Sequence, residues 1–383
     1  MAIESAARLL PAVLLLSACA TLPPEEAPPA QTTRAPPLEK APAVEPAPEP
    51  IRLSVAAVGD MMLGTDYPED HLPDDDGASF LAAVTPILSA ADVTFGNLEG
   101  VLVDGGEPGK QCSKPAACYR FRSPPRYVEH FVNAGFDVMS LANNHARDFG
   151  EEGRLATMQT LANAGIRHSG LEGDIASLEA NGLRIALIAF AVTKNSNLLL
   201  DYEKSAATVA ACASSHDIVI VSFHGGAEGR DVMRLPFGEE EYYGEPRGDV
   251  VRFARMVVDA GADLVIGHGP HVVRAMERYK GRLIAYSLGN FATYYGISVE
   301  GMKGVAPILV ATIDQTGRFI EGRIHSSEQI RPAGPTIDDE QKALNLIRGL
   351  SIQDFGRPGL TFHRDGSIVP ADRRKTRIFP LGF

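Results

Sequence analysis

From residue 51 onward, short apolar runs alternate with amphipathic stretches. Runs of this length between turn signals predict β-strands, and apolar positions recurring with helical spacing predict helices. The strands are predicted at 53–58, 93–95, 138–141, 185–190, 218–223, 264–266, 283–286 and 308–313, and the helices at about 78–90, 126–134, 152–164, 203–214 and 248–260. This order predicts an α/β domain over residues 51–330.

Glycines and a turn sequence support these boundaries. Three predicted helices end in similar tripeptides whose Gly can take the positive φ that closes a helix: 133–135, 163–165 and 259–261. Residues 314–317, Asp-Gln-Thr-Gly, predict a hairpin turn and an antiparallel end to the sheet. Residues 331–383 are predicted to be a C-terminal extension with one helix at 338–350.

The N-terminus predicts export. Arg8 precedes an apolar run at 9–16, and Leu-Ser-Ala-Cys follows at 16–19. This resembles a bacterial lipoprotein signal over residues 1–19, in which Cys19 becomes lipidated. The alternative is an ordinary secretory signal with an incidental cysteine. Residues 20–50, rich in Pro, Ala and Glu, predict a disordered tether. The expected location is the bacterial cell envelope, with the membrane reached through the lipid anchor.

Composition narrows the possible partners. The 383 residues are 45% hydrophobic and 22% charged, with a formal net charge of -12. This acidic balance argues against a nucleic-acid partner, and no oligomeric state is predicted. Cys112 and Cys118 lie in one loop, and an exported protein could join them as a disulfide.

Residues able to bind metal or transfer protons follow five predicted strands. Each of them alone is typical of a turn or a satisfied loop, but the ligand-binding edge of an α/β sheet lies at such strand ends. Carboxylate, amide and imidazole groups together can hold two divalent ions. The residues are Asp60, Glu99, Asn143-Asn144-His145, His224, and His268 with His271.

This ordered set resembles the CapA proteins of poly-γ-glutamate capsule synthesis, within the calcineurin-like metallophosphoesterase superfamily. The resemblance covers residues 53–313 and includes Tyr-Ser-Leu-Gly-Asn-Phe at 286–291. It implies a metallophosphoesterase-like sandwich of two mixed β-sheets flanked by helices.

The resemblance also implies site roles. One divalent ion would bind Asp60 and His271, and Glu99 would bridge to a second. Mn, Fe or Zn suits oxygen and imidazole ligands. The second ion would bind Asn144, His224 and His268, and His145 would be the catalytic acid.

The chain departs from the superfamily pattern at several positions. Met62 stands where a histidine is usual, so one or two ions are expected. The bridging position is Glu99 and not Asp. The chain has no Trp, although CapA proteins often carry one after the position of His224.

Three functions stay open from the sequence. The first is synthesis, export or anchoring of an anionic envelope polymer. The second is a metal-dependent phosphoesterase or related hydrolase, and the third is a metal-free envelope binding protein. Substrate contacts are predicted from Asn143, Arg147, Arg120 and Arg122, although the arginines could equally be ordinary surface residues.

Overall fold

A computed structural model describes residues 50–110 and 118–372 and contains a nine-stranded mixed sheet. Its central strand, β1, pairs in parallel with β2 and β16 and antiparallel with β17, so the sheet is parallel on one side and antiparallel on the other. The strands are β1 (Arg52–Met62), β2 (Val93–Leu98), β5 (Val138–Ser140), β6 (Arg167–Ser169), β16 (Asn290–Thr293), β17 (Ile308–Asp314), β18 (Phe319–His325), β21 (Leu360–Phe362) and β22 (Ser367–Pro370).

A second mixed sheet has seven strands. Its centre is parallel, with β10 between β8 and β13, and antiparallel strands close both edges. The strands are β7 (Ala176–Ala180), β8 (Leu183–Ala191), β9 (Asn197–Leu198), β10 (Ile218–His224), β13 (Leu264–His268), β14 (Met276–Tyr279) and β15 (Arg282–Ala285).

Helices and small strand pairs complete the described chain. The helices are α1 (Thr85–Leu88), α2 (Val128–Ala134), α3 (Gly150–Asn163), α4 (Tyr202–Ala213), α5 (Val250–Asp259) and α6 (Lys342–Phe355). The paired short strands are β3 (Val101–Leu102) with β4 (Arg122–Ser123), β11 (Glu240–Tyr242) with β12 (Glu245–Gly248), and β19 (Ser327–Gln329) with β20 (Pro335–Ile337). Short 3₁₀ turns cover Pro125–Tyr127, Arg230–Val232 and Gly301–Gly304.

The two large sheets share one apolar core. Leu53, Val55 and Ala57 of β1 belong to the same buried cluster as Val221 of β10 and Val265 of β13. Alternate residues of a strand face opposite sides of a sheet, so the remaining apolar residues of β1 pack elsewhere. A second cluster joins the other side of the first sheet to α2. The predicted sandwich of two mixed sheets flanked by helices is confirmed.

Glycines let the chain pass closely where the sheets meet. A Cβ at Gly59 would overlap the carbonyl oxygen of Gly289, and a Cβ at Gly267 would overlap that of Tyr286. These close approaches involve backbone atoms, which cannot move aside as a flexible side chain can. Gly59 directly precedes Asp60, and Gly267 directly precedes His268, so both glycines lie beside candidate site residues.

The predicted strands all occur, but one helix is shorter than predicted. Over 78–90 only Thr85–Leu88 is α-helical. Before it, Phe80, Ala82 and Val84 donate backbone hydrogen bonds three residues back, as in successive turns. Pro86 lacks the N–H of a helix interior and therefore suits only the first helical turn.

The C-terminal region contains more than the predicted helix. Beyond residue 331 the structure adds β20, β21 and β22 to α6, and β22 pairs with β18 in the first sheet. In the ranges 50–110 and 118–372, no helix is long and apolar enough to cross a membrane. The predicted lipidation site Cys19 and the tether at 20–49 lie outside the described residues.

Candidate metal centre

Parallel pairing brings the predicted strand-end residues to one edge of each sheet. Asp60 of β1 is in register with Asn97 of β2, and Glu99 follows two residues later. In the other sheet His224 of β10 is in register with His268 of β13. Parallel strands end at the same edge of a sheet, which explains why residues far apart in sequence meet here.

Asp60 and Glu99 face histidines from the other sheet. Asp60 Oδ1 lies 3.4 Å from His268 Nδ1, and Asp60 Oδ2 lies 3.0 Å from His271 Nδ1. Glu99 Oε1 lies 3.3 Å from His224 Nδ1. One ligand atom each from Asp60, Glu99 and His271 lies within 4.8 Å of the others. Both carboxylates are fully buried.

His271 has a strained backbone and contacts on both ring nitrogens. Its φ of 57° is uncommon for a residue with a side chain, and such strain concentrates at functional sites. Nδ1 also lies 3.0 Å from Asn290 Oδ1, while Nε2 lies 3.9 Å from Glu228 Oε2. Glu228 is held on its other side by Arg247, whose Nη2 is 3.1 Å from Oε1.

Burial and mutual charge perturb the acids and His271. Burial alone would raise the pKa of Asp60, but His268 and His271 outweigh it and hold that pKa well below its usual range. Burial, and then the charge of Asp60, raises the pKa of Glu99 to about 8. Burial would lower the pKa of His271, but Glu99 and Asp60 raise it to about 10. Two carboxylates this close raise the pKa of one of them, and a cation beside them removes that cost.

Several buried side-chain oxygen and nitrogen atoms in the cluster make no hydrogen bond within the described structure, although three of them form the ion-pair contacts given above. These are Asp60 Oδ2, Glu99 Oε2, Asn144 Oδ1 and both ring nitrogens of His224 and His268. A buried polar atom without a partner is costly in free energy, so such atoms require an explanation. Burial also lowers the pKa of His224 well below its usual value, which favours the neutral imidazole that binds metals. The residues present therefore fit divalent metal ions.

Two asparagines to which the resemblance assigns no metal, Asn97 and Asn143, hold the carboxylates in place. Asn97 donates from Nδ2 to Asp60 Oδ1 at 2.8 Å. Asn143 donates to Asn97 Oδ1 at 3.1 Å and to the carbonyl of Leu98 at 2.8 Å, and its Oδ1 accepts from the His145 N–H. The Asn143 side chain thus orients the site, and its predicted substrate contact stays a prediction.

His145, the predicted acid, is oriented by Asp148. The His145 ring is buried, and its Nδ1 lies 2.8 Å from Asp148 Oδ2. Lys110 Nζ lies 3.2 Å from Asp148 Oδ1 and 3.3 Å from the same ring nitrogen. With Nδ1–H donating to Asp148, Nε2 faces no hydrogen-bonding partner among the residues described and is available to a substrate atom. Burial lowers the pKa of His145, although the charge of Asp148 acts to raise it.

The predicted substrate-binding arginines differ in their contacts. Arg120 donates twice to the carbonyl of Lys110, at 3.1 and 2.9 Å. Arg122 donates to Asp66 at 2.6 Å and stacks over Phe149 at 4.9 Å from the ring centroid. Arg147 is half-exposed, and its Nε lies 3.2 Å from Glu151 Oε2, which is its one ion pair within the described residues. Arg147 therefore has the most unused hydrogen-bonding capacity of the three.

Met62 belongs to an apolar cluster with Phe121 and Ile297. It is buried, and its thioether packs against hydrocarbon. Phe121 in turn lies 4.5 Å from His145 between ring centroids, so this cluster borders the site.

The described residues include Cys118 and Cys212 but not Cys112. Cys118 is disulfide-bonded. Its predicted partner Cys112 lies outside the described residues, so the pairing stays a prediction. Cys212 is buried and free.

Comparison with known proteins identifies the family. The family described as "Bacterial capsule synthesis protein PGA_cap" matches residues 54–295, which include every residue of the cluster. The chain is also 32% identical over 316 residues to the PGA biosynthesis protein CapA of Bacillus subtilis, covering 78% of each chain. The chain belongs to the capsule synthesis family.

Other similarities accompany this membership. The capsule biosynthesis protein CapA of Bacillus anthracis is 28% identical over 263 residues, covering 63% of this chain and 59% of that protein. Among solved structures, a 5'-nucleotidase precursor from Thermus thermophilus has a TM-score of 0.42 and 14% identity, covering 79% of this chain and 59% of that one. As a member of the capsule synthesis family, the chain has a role in capsule synthesis.

Proposed function

We propose that this protein acts in the synthesis, export or anchoring of an anionic capsule polymer of the poly-γ-glutamate type, through a divalent-metal site. Family membership supports the role in capsule synthesis. The buried group of carboxylate and imidazole atoms that face one another without hydrogen bonds, where the two sheets meet, is the single observation that carries the metal site.

The ligands divide between the sheets. Asp60 and Glu99 come from the first sheet, and His224 and His268 come from the second, with His271 three residues further on. Asn144 would add an amide oxygen. When bound here, Mn, Fe or Zn would supply Lewis-acid polarisation of a carboxylate or phosphoryl oxygen.

The surrounding residues position the ligands. Asn97 fixes Asp60, and Asn143 fixes Asn97, so the first carboxylate is held by two successive amides. Asn290 and Glu228 lie on opposite sides of the His271 ring. A histidine ligand usually gives its second nitrogen to a carboxylate or carbonyl oxygen, and Glu228 is the carboxylate on the Nε2 side of His271, 3.9 Å away.

The His145–Asp148 pair favours a second candidate, a metal-dependent phosphoesterase or related hydrolase. A buried imidazole held by a carboxylate and open at Nε2 is suited to proton transfer. Substitution of His145 by Ala is expected to leave metal content unchanged and to abolish any such activity. Loss of metal in that variant would remove the proton-transfer role.

We further propose that the domain is held at the cell envelope through Cys19 and the tether, with the substrate or polymer meeting it there. Labelling with a radioactive fatty acid tests this. Incorporation into the native protein but not into Cys19→Ser is expected. Equal labelling of both proteins, or of neither, would contradict the anchor.

Metal stoichiometry tests the proposed site. The full-length protein is incubated with Mn, Fe or Zn, dialysed and subjected to elemental analysis beside Glu99→Gln and Glu129→Gln. Glu129 is exposed at the start of α2 and is the matched control. One or two ions in the parent and in Glu129→Gln, with loss in Glu99→Gln, is expected. No bound metal in the parent would overturn the site and favour the metal-free binding protein.

Polymer output tests the cellular role separately. The gene for each variant replaces the native gene, and surface glutamate polymer is measured after acid hydrolysis. Loss of polymer in Glu99→Gln cells but not in Glu129→Gln cells is expected. A normal amount of polymer on Glu99→Gln cells would show that capsule synthesis does not depend on the metal site.

A further inference from the structure

A cleft of about 310 Å³ lies beside the metal centre, between the loop after β5 and the loop after β8. The loop after β5 supplies Asn144, a candidate ligand, and the loop after β8 supplies Thr193, whose hydroxyl donates to the Asn143 carbonyl. A larger cavity of about 720 Å³, lined in part by Tyr119 and Tyr295, contains none of the predicted ligands. The smaller cleft is lined by Asn143 and Asn144 and therefore adjoins the site.

The cleft is basic on an acidic protein. Lys and Arg make up 36 of 383 residues, so its thirteen lining residues would contain about one by chance, but they contain four. No Asp or Glu is among these lining residues. The four are Lys110, Arg147, Arg154 and Lys194.

These cations differ in how far they are neutralised. Arg154 is buried, donates to both oxygens of Glu151, and donates to the Asn195 carbonyl. Its guanidinium group is therefore already engaged in hydrogen bonds within the protein. Arg147 contacts the same Glu151, so one carboxylate serves two guanidinium groups. The exposed side chain of Lys194 has no ion pair or hydrogen bond anywhere in the described chain. Uncompensated positive charge therefore remains at Arg147 and Lys194.

Lys110 links the cleft to the proposed proton-transfer residue. Its ammonium group lies 3.2 Å from Asp148 Oδ1, and the other oxygen of Asp148 accepts from the His145 ring. An anion in the cleft would thus be surrounded by lining residues that include Arg147, Lys194, Asn144 and Lys110. Guanidinium and ammonium groups bind carboxylate and phosphate oxygens through short charge-assisted hydrogen bonds.

We propose that this cleft is an oxyanion subsite, in which Arg147, Lys194 and Lys110 bind a carboxylate or phosphate group of the substrate next to the metal centre. The inference rests on the proposed function, since it gives the polymer or ester a second point of attachment. A repeating polyanion would place one charged group at the metals and a neighbouring one in the cleft.

Binding measurements on a double variant test the subsite. Arg147→Gln/Lys194→Gln is compared with Arg184→Gln/Lys280→Gln, which removes the same charge at exposed ion pairs elsewhere. The probes are a γ-linked glutamate oligomer and inorganic phosphate, each titrated calorimetrically into the metal-loaded full-length protein. The cleft variant is expected to bind at least about tenfold more weakly, with a smaller salt dependence, while the control variant binds like the parent.

The outcomes separate the alternatives. Weakened binding of the oligomer alone identifies a carboxylate ligand, and weakened binding of phosphate alone identifies a phosphate ligand. Equal loss in both double variants, or unchanged binding in the cleft variant, would overturn the subsite.

Metal content distinguishes this proposal from the proposed function. The cleft variant should keep the metal content of the parent, since none of its substituted residues is a predicted ligand. If the parent binds no metal but the cleft variant still loses oligomer affinity, the metal centre fails and the subsite stands.

Discussion

Asp148 Oδ2 accepts a hydrogen bond from His145 Nδ1 at 2.8 Å, and the same oxygen accepts the backbone N–H of Phe121 at 2.7 Å. The carboxylate therefore fixes both the histidine ring and the strand segment that covers it. Because Asp148 is fully buried, it has no water with which to exchange these contacts.

Replacement of Asp148 by Asn should change the tautomer of His145. The amide is a weaker acceptor than the carboxylate, so the population with hydrogen on Nδ1 should fall, and any hydrolytic rate should fall by about 100-fold or more. Ring ¹⁵N chemical shifts of His145 report the tautomer directly. An unchanged tautomer with a reduced rate would assign the loss to packing instead.

Substitution of Met62 by Leu should leave metal content unchanged. The thioether packs with Phe121 and Ile297, and a swap of similar volume in such a cluster typically costs less than about 1.5 kcal/mol. Elemental analysis and urea unfolding provide the two measurements. A loss of bound metal in a variant that remains folded would show that the sulfur is a ligand.

Gly267→Ala should be among the most damaging single changes. Its Cβ would overlap the carbonyl of Tyr286, and relief requires backbone movement, for which we expect a loss of about 4 kcal/mol or more in the free energy of unfolding. The control is Gly349→Ala within α6, where a Cβ meets nothing within 4 Å and helix propensity predicts a gain of about 0.5–1 kcal/mol. Similar effects at both positions would contradict the close-approach argument.

Asp263 should make stability depend on pH. Burial raises the pKa of this carboxyl to about 6, although the Val219 N–H and Arg282 oppose the shift. The folded state therefore holds the proton to higher pH than the unfolded state, and this contribution to stability is lost as pH rises from about 4 to 6. The full effect is at most about 3 kcal/mol.

Urea unfolding at pH 4, 5, 6 and 7 tests this for Asp263→Asn. The variant should lose the decline over that interval, because its amide does not titrate. Asp231→Asn, at a side chain that is 93% exposed, is the control and should keep the decline of the parent. If the free energy of unfolding of Asp263→Asn declines with pH in parallel with that of the parent, Asp263 is not the source of the decline.

The sequence was most informative where chemistry coincides with strand ends. Asp60, Glu99, His224 and His268 could be grouped because each directly follows or ends a strong apolar run, and parallel strands end together. His145 could be associated with them by the same argument. These expectations needed only the strand order and not the shape of any loop.

Residues that act through loops were not predictable in this way. Glu228 approaches His271 only because Arg247, nineteen positions later, holds it there. Lys194 enters the basic cleft from a loop whose path depends on Arg154 binding the Asn195 carbonyl. The His145-x-x-Asp148 spacing was a readable signal, but it acquires meaning only once the ring is seen to be buried.

The candidate ligands are divided between the two sheets. Metal binding would therefore be coupled to the stability of the packing between those sheets. An ion held jointly by Glu99 and His268 would link one sheet to the other, since neither sheet alone supplies the full set of ligands. By mass action, ligand at about 1,000 times its Kd would add about 4 kcal/mol to the free energy of unfolding. By reciprocity, a mutation far from the site that destabilises the packing of the two sheets would weaken the binding of metal.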